Sequence, residues 1–175
     1  MALGTHQSRF TRQADLSGKG ENGRMTQFMG THQNRLDAKG RVSIPASFRN
    51  LLKTGDGGVV LVLCPSYDHP CIEGWRPAAF EALSSPLDKL DMYSEGYKNL
   101  AVSLFARSCE LESDKEGRIV VPDHLKKYAD LTDGVTFLGL GRTFEIWEPA
   151  AAEAYLAEVD ARAKAHRLTL SGSAA

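Results

Sequence analysis

Two stretches of this chain repeat each other, and the repetition limits the available folds more than any other feature. Leu36-Asp37-Ala38-Lys39-Gly40-Arg41-Val42-Ser43-Ile44-Pro45 is echoed by Ser113-Asp114-Lys115-Glu116-Gly117-Arg118-Ile119-Val120-Val121-Pro122, with the Asp, Gly, Arg and Pro aligned without a gap. Further along, Trp75-Arg76-Pro77-Ala78-Ala79-Phe80-Glu81-Ala82 is matched by Trp147-Glu148-Pro149-Ala150-Ala151-Ala152-Glu153-Ala154. Two matching blocks in the same order make the chain two copies of one supersecondary unit.

Each copy has the same internal pattern. A strand, about Gln27 to Leu36 or Cys109 to Ser113, runs into an Asp-x-x-Gly turn and leaves as an alternating strand in which Val42 and Ile44 share one face. Pro45 ends that strand because it has no N–H for a ladder, and its fixed φ suits a helix start. Phe48, Leu51 and Leu52 then fall on one face of a helix that Gly55-Asp56-Gly57-Gly58 terminates. Val59 to Leu63 is a continuous apolar run, the signature of a strand covered on both faces, and Ile72 to Trp75 supplies a fourth strand.

The expected class is α+β, mainly β, from two β-β-α-β-β units with flanking helices. A unit of roughly 45 residues buries too little surface to stand alone. The two copies are therefore expected to share one core as an intertwined barrel of interleaved hairpins with a pseudo-two-fold axis.

The other segments divide the chain further. Residues 1–24 are polar and aperiodic, so disorder is expected there, with Met25 or Met29 as a candidate start. Gly4-Thr5-His6-Gln7-Ser8-Arg9-Phe10 resembles Gly30 to Leu36, without a physical account. Unit one spans 25–80 and unit two 106–149. Between them Leu87, Leu90, Tyr93, Tyr97, Leu100, Ala101, Leu104 and Phe105 recur at helical spacing, which predicts one amphipathic linker helix over 81–105. The Ala-rich run Pro149 to His166 predicts a C-terminal helix over 150–167, followed by a frayed tail over 168–175.

Composition narrows the functional classes. No membrane-length apolar run and no secretory h-region are present, so a cytoplasmic protein is expected. Three cysteines at unrelated spacings do not suggest a disulfide framework, and Cys64, His69 and Cys71 match no common zinc pattern. No metal and no cofactor are expected. The net charge of −1 conceals an asymmetry: residues 1–53 hold nine Lys/Arg against three Asp/Glu, and the remainder twelve against nineteen. The basic N-terminal part is the one suited to phosphate.

The turn carries the chemistry. Asp37 can accept backbone N–H groups within it, Gly40 can take positive φ, and Asp114 and Gly117 repeat both roles in the second copy. Arg41 is then held at the mouth of a hairpin. Arginine can address guanine or phosphate with two parallel hydrogen bonds, and a two-stranded ribbon fits the major groove. Two readings stand open on this motif alone: a DNA contact, or an Asp37–Arg41 ion pair that pins the hairpin. Arg35 and Lys39 add positive charge around the first tip, whereas the second mixes Lys115 and Arg118 with Glu110, Glu112, Asp114 and Glu116. Arg35, Lys39 and Arg41 are therefore the leading candidates to contact DNA, with Lys115 and Arg118 as weaker ones. Copy two is expected chiefly to complete the fold.

These residues, Phe28-Met29-Gly30 through Pro45 and the copy from Asp114 to Pro122, resemble the MraZ transcriptional regulators over about Met25 to Arg167. The resemblance implies two AbrB-like swapped-hairpin domains, a bacterial nucleoid-associated protein, and binding to repeated sites upstream of the division and cell-wall gene cluster. It also implies a ring-shaped homo-oligomer on double-stranded DNA. Residues 1–24 depart from the family's usual start. Against an enzyme stand the lack of a nucleophile elbow, P-loop or dinucleotide glycine pattern, and His32, His69, His124 and His166 are expected on the surface. A third class is a non-catalytic partner-binding module, antitoxin-like or scaffold, since AbrB-like folds serve there too.

Overall fold

The computed structural model describes residues 26–166, without the side chain of His166. The expected disordered segment 1–24, Met25 as a start, the Gly4–Phe10 echo and the frayed tail lie outside the described residues. Copy one contributes β1 (Thr31–Arg35), β2 (Arg41–Ser43), α1 (Ala46–Leu52), β3 (Val60–Pro65) and β4 (Ile72–Trp75). Copy two repeats the order with β5 (Cys109–Glu112), β6 (Arg118–Val120), α5 (Asp123–Tyr128), β7 (Gly134–Gly139) and β8 (Phe144–Trp147). Between them lie α2 (Pro77–Glu81), α3 (Ser84–Leu87) and α4 (Glu95–Ala101), and α6 (Pro149–His166) follows.

The strands pair across the copies. Six form one antiparallel sheet in the order β1-β7-β8-β4-β3-β5, and β2 pairs with β6 in a separate two-stranded ribbon. Exchanging each strand for its repeat partner reads the six-strand order backwards, which is the expected interleaving and pseudo-two-fold symmetry. The expected hairpins are absent: the strands on either side of each Asp-x-x-Gly turn pair with the other copy, β1 with β7, β2 with β6 and β5 with β3, because the turn sends its two strands into different sheets. Two registers mark the axis, because equivalent residues face each other there: Val42 opposite Ile119 in the ribbon, and Glu73 opposite Glu145 between β4 and β8.

One core serves both copies. Phe28, Val42, Phe48, Leu61 and Leu63 from the first pack with Ile119, Leu125, Phe137, Phe144 and Ile146 from the second. The Phe48 ring lies 5.1 Å from Phe28, 5.3 Å from Phe144 and 6.2 Å from Phe137. Truncating such a fully buried ring costs about 3–5 kcal/mol, so neither copy keeps its core without the other. The outer face of the sheet is covered on one half by Phe80 of α2, against Val62 and Cys64, and on the other by Ala152 of α6, against Trp147 and Leu138.

Two elements differ from the sequence expectation. β1 begins at Thr31 and not near Gln27, because Gly30 at φ +87° interrupts the extended run, and Phe28 reaches the sheet by a separate bridge to Gly141. The segment 81–105 is not one helix. Pro86 has no N–H to continue α2, and polar side chains then restart the chain locally: Tyr93 N–H donates to Asp91 Oδ1 (3.0 Å) and Tyr97 N–H to Ser94 Oγ (3.1 Å), the cap of α4. A π-helical turn, Val102–Ala106, ends it. Broken in this way, the linker leaves Met92, Tyr93, Val102 and Phe105 exposed on its surface.

Candidate nucleic-acid interface

The tip of the first copy is built by one carboxylate. Asp37 Oδ1 accepts the backbone N–H groups of Lys39 and Arg41, both at 2.9 Å, while its Oδ2 accepts Arg41 Nε at 2.7 Å. Gly40, at φ +72°, closes the turn by donating its N–H to the Asp37 carbonyl at 2.9 Å. Asp114, Glu116, Gly117 (φ +76°) and Arg118 reproduce this geometry, again with Nε on Oδ2 at 2.7 Å. The backbone N–H of Arg41, and then the Arg41 side chain, hold the Asp37 carboxyl below its ordinary range; Arg118 does the same to Asp114. Each turn is thus organised around an ionised aspartate at neutral pH.

The two arginines are not equally engaged. Among the described residues, Arg41 meets a carboxylate only through Nε, leaving both terminal nitrogens of its fork without a partner. Arg118 also donates Nη2 to Glu116 Oε2 at 3.1 Å. The ion-pair reading of the motif and an outward-facing donor therefore coexist in Arg41, because one edge of the guanidinium pins the turn while the other stays open.

Cross-copy pairing places the two tips on one surface. Arg41 lies opposite Val120 and Arg118 opposite Ser43, and alternation sends all four side chains to the face away from buried Val42 and Ile119. Arg41 and Arg118 are thus diagonal neighbours, about 7–8 Å apart at their backbones. The hydrogen bond to Asp114 chiefly favours the charged form of Arg118, and Asp37 of the first tip lies close enough to add to it. The division of labour expected from charge does not extend to position, since Arg118 belongs to the same ribbon face as Arg41.

Lys39 and Lys115 are exposed at the two turns, whereas Arg35 stands beside Gly134 and Pro149 where α6 begins. The preceding residue, Asn34, is the one that reaches the ribbon, donating Nδ2 to the Ser43 carbonyl at 2.6 Å. Two basic residues escape the reading of the sequence. Lys126 of α5 covers Gly40, where an added Cβ would stand 2.7 Å from its Nζ, and Arg49 of α1 covers Gly117 while donating Nη1 to the Glu116 carbonyl at 3.0 Å. Each tip is thus backed by a cation from the other copy's helix. A signal existed, since a basic residue follows the turn arginine by eight positions in both copies.

The second crossing of the pseudo-axis lies in the six-stranded sheet, between β4 and β8. Glu73 and Glu145 face each other there, with Trp75 Nε1 donating to Glu73 at 3.1 Å and Trp147 Nε1 to Glu145 at 2.8 Å. Burial, with Glu73 adding repulsion, raises the Glu145 carboxyl above its usual range. Burial also pushes the Cys64 thiol up to about 12 and raises Cys71, which leaves both as neutral core groups. Among the described residues no cluster of three His, Cys, Asp or Glu is placed to hold a metal. His69 packs on Trp147 and Tyr155, His32 packs edge-on against Phe48, and His124 meets the Arg107 carbonyl.

Fold and surface together define a class: a tandem-repeat protein whose two interleaved copies share a core and present one arginine-bearing β-ribbon. The family model of the MraZ protein, whose description also likens it to an antitoxin, matches residues 27–95 and 104–171. The chain is 54% identical over 150 residues to a protein of Gluconacetobacter diazotrophicus named transcriptional regulator MraZ, covering 85% of this chain and 95% of that one. A protein of the same name from Gluconobacter oxydans is 58% identical over 130 residues, covering 73% and 79%, and one from Pelagibacter ubique 40% over 140, covering 79% and 88%. The chain belongs to the MraZ family.

Proposed function

We propose that this protein is a non-catalytic, DNA-binding transcriptional regulator that grips repeated promoter sites upstream of the division and cell-wall gene cluster with the β2–β6 ribbon. The observation that carries the reading is the open edge of Arg41, held rigidly by Asp37 on an exposed two-stranded ribbon. Such a ribbon fits the major groove, and a forked donor matches guanine or phosphate. In this reading Arg41 and Lys39 are the leading contacts, with Arg118 and Lys115 weaker because acids surround them. Arg35 serves phosphate flanking the ribbon, and Asp37, Gly40, Asp114 and Gly117 hold the turns.

A homo-oligomeric ring is part of the proposal. Met92, Tyr93, Val102 and Phe105 give the linker an apolar surface for a neighbouring subunit. Repeating one modest contact around a ring over repeated sites raises its effective concentration. No helix among the described residues is long and apolar enough to cross a membrane, in keeping with a cytoplasmic, nucleoid-associated role. The test is a mobility shift on the duplex upstream of the protein's own gene. Binding that weakens steeply between about 50 and 200 mM salt is expected, as counterion release demands; no binding, or binding indifferent to salt, overturns the proposal. A second reading, an antitoxin-like partner-binding module, draws on the family description and on the same linker surface. It predicts no shift in that assay.

A further inference from the structure

The ribbon's outer face carries an apolar side chain among its cations. Val120 is 55% exposed, directly across the ladder from Arg41, although alternate positions on a solvent-facing strand are ordinarily polar. Its counterpart in the first copy is Ser43, which lies across from Arg118. More than half of Val120 is open to solvent, and its ladder partner Arg41 and its same-face neighbour Arg118 are groups proposed to meet DNA. Cross-strand partners lie about 5 Å apart, against about 3.4 Å between successive base pairs, so a ribbon seated in the major groove brings Arg41 and Val120 to neighbouring pairs.

Resting on the DNA-binding reading above, we infer that Val120 is a specificity residue that recognises the 5-methyl group of a thymine beside the base edge addressed by Arg41. That methyl is the apolar feature of the major-groove edge of the bases, and an exposed β-branched side chain is its complement. The basic surroundings favour nucleic acid over an apolar protein segment as the occupant, since Arg41 and Arg118 flank Val120 on the same face. Ser43, with a hydroxyl in place of two methyl groups, makes the Arg118 half of the ribbon indifferent to methylation at its own pair. The two halves thus read different bases despite their shared turn geometry.

The experiment uses the full chain and the fragment upstream of its gene, amplified with either dTTP or dUTP, so that the second fragment lacks every thymine methyl. Wild type is expected to bind the uracil fragment about fourfold more weakly per subunit contact, the value of one buried methyl. Val120→Ser is expected to bind the thymine fragment more weakly by the same factor and to treat both fragments alike, with an unchanged melting temperature because the site is exposed. Equal wild-type affinity for the two fragments, or full discrimination retained by Val120→Ser, overturns the inference while leaving DNA binding intact. Failure to bind either fragment overturns the DNA-binding reading, and this inference with it.

Discussion

Replacing Arg41 with alanine separates the pinned edge of its guanidinium from the open one. Asp37 Oδ1 holds the turn through the N–H groups of Lys39 and Arg41, which an alanine retains, so the turn should keep its shape. What disappears is the Nε bond to Oδ2 and the two open terminal nitrogens. If those nitrogens make one bidentate contact, its removal costs about 1–3 kcal/mol, roughly 5- to 150-fold in Kd. Asp37 is also left facing the phosphates with one oxygen uncompensated, which moves the expectation to the upper part of that range. Arg118→Ala should cost less, roughly tenfold or below, because Asp114 and Glu116 already occupy two of its three nitrogens. Arg41→Lys keeps the charge without the fork, so it should preserve the salt slope while losing preference for the specific fragment. Fluorescence anisotropy on specific and scrambled duplexes, each at several salt concentrations, measures all three variants. Equal losses for Arg41→Ala and Arg118→Ala, or an Arg41→Lys protein with unchanged specificity, would refute the reasoning.

Three further perturbations follow from the same geometry. Gly40→Ala and Gly117→Ala each place a side chain at positive φ, costing about 1–2 kcal/mol and lowering the melting temperature by roughly 2–8 °C. Gly117→Ala should be the more damaging, since its Cβ meets Arg49 along Cδ, Cζ and Nη1 and forces it off the Glu116 carbonyl, whereas at Gly40 only the Lys126 ammonium, paired with exposed Asp123, has to shift. The double variant Arg49→Ala/Lys126→Ala should lower DNA affinity similarly on all sequences and reduce the salt slope by roughly 0.9 for each phosphate that a subunit no longer neutralises, read from anisotropy against salt. Glu145→Gln should raise stability at neutral pH, because the native carboxyl titrates above its unfolded value. The group's contribution is most favourable below the unfolded pKa near 4.5 and is lost as pH rises through the raised native one. Thermal melts from pH 4 to 8 should show wild type losing stability over that rise and the variant losing less.

The sequence made the parts legible better than their partners. Asp37, Gly40, Arg41 and Pro45 announce a turn, a strand and a helix start because each residue acts locally, and the repeat doubles the signal. The shared core and interleaved strands also follow, since copies this small cannot bury their own apolar faces. Which strand sits beside which is a long-range matter. β2 and β6 are three residues each and pair only with one another, so no local pattern reveals that Arg41 and Arg118 share a face. Arg35 shows the limit of reading charge by proximity in sequence: it is six residues from Arg41, yet Asn34 is the residue whose side chain reaches the ribbon. In the linker, helical periodicity misleads because Pro86 and the Asp91 and Ser94 side chains interrupt the backbone without disturbing the spacing of its apolar residues.

The pseudo-two-fold axis runs within one chain, and this has a consequence for what the molecule can discriminate. A dimer of identical units must present the same residue on both sides of its axis, so its preferred site reads alike on both strands. Here the symmetric fold is occupied by unequal residues: Arg35 where the other copy has Glu112, Ser43 where it has Val120, and an acid, Glu116, facing the arginine of one tip only. The ribbon accordingly has a front and a back. A reader of this kind can be sensitive to the direction of a site, and in the proposed ring on repeated sites successive subunits would follow head-to-tail repeats all pointing the same way along the duplex.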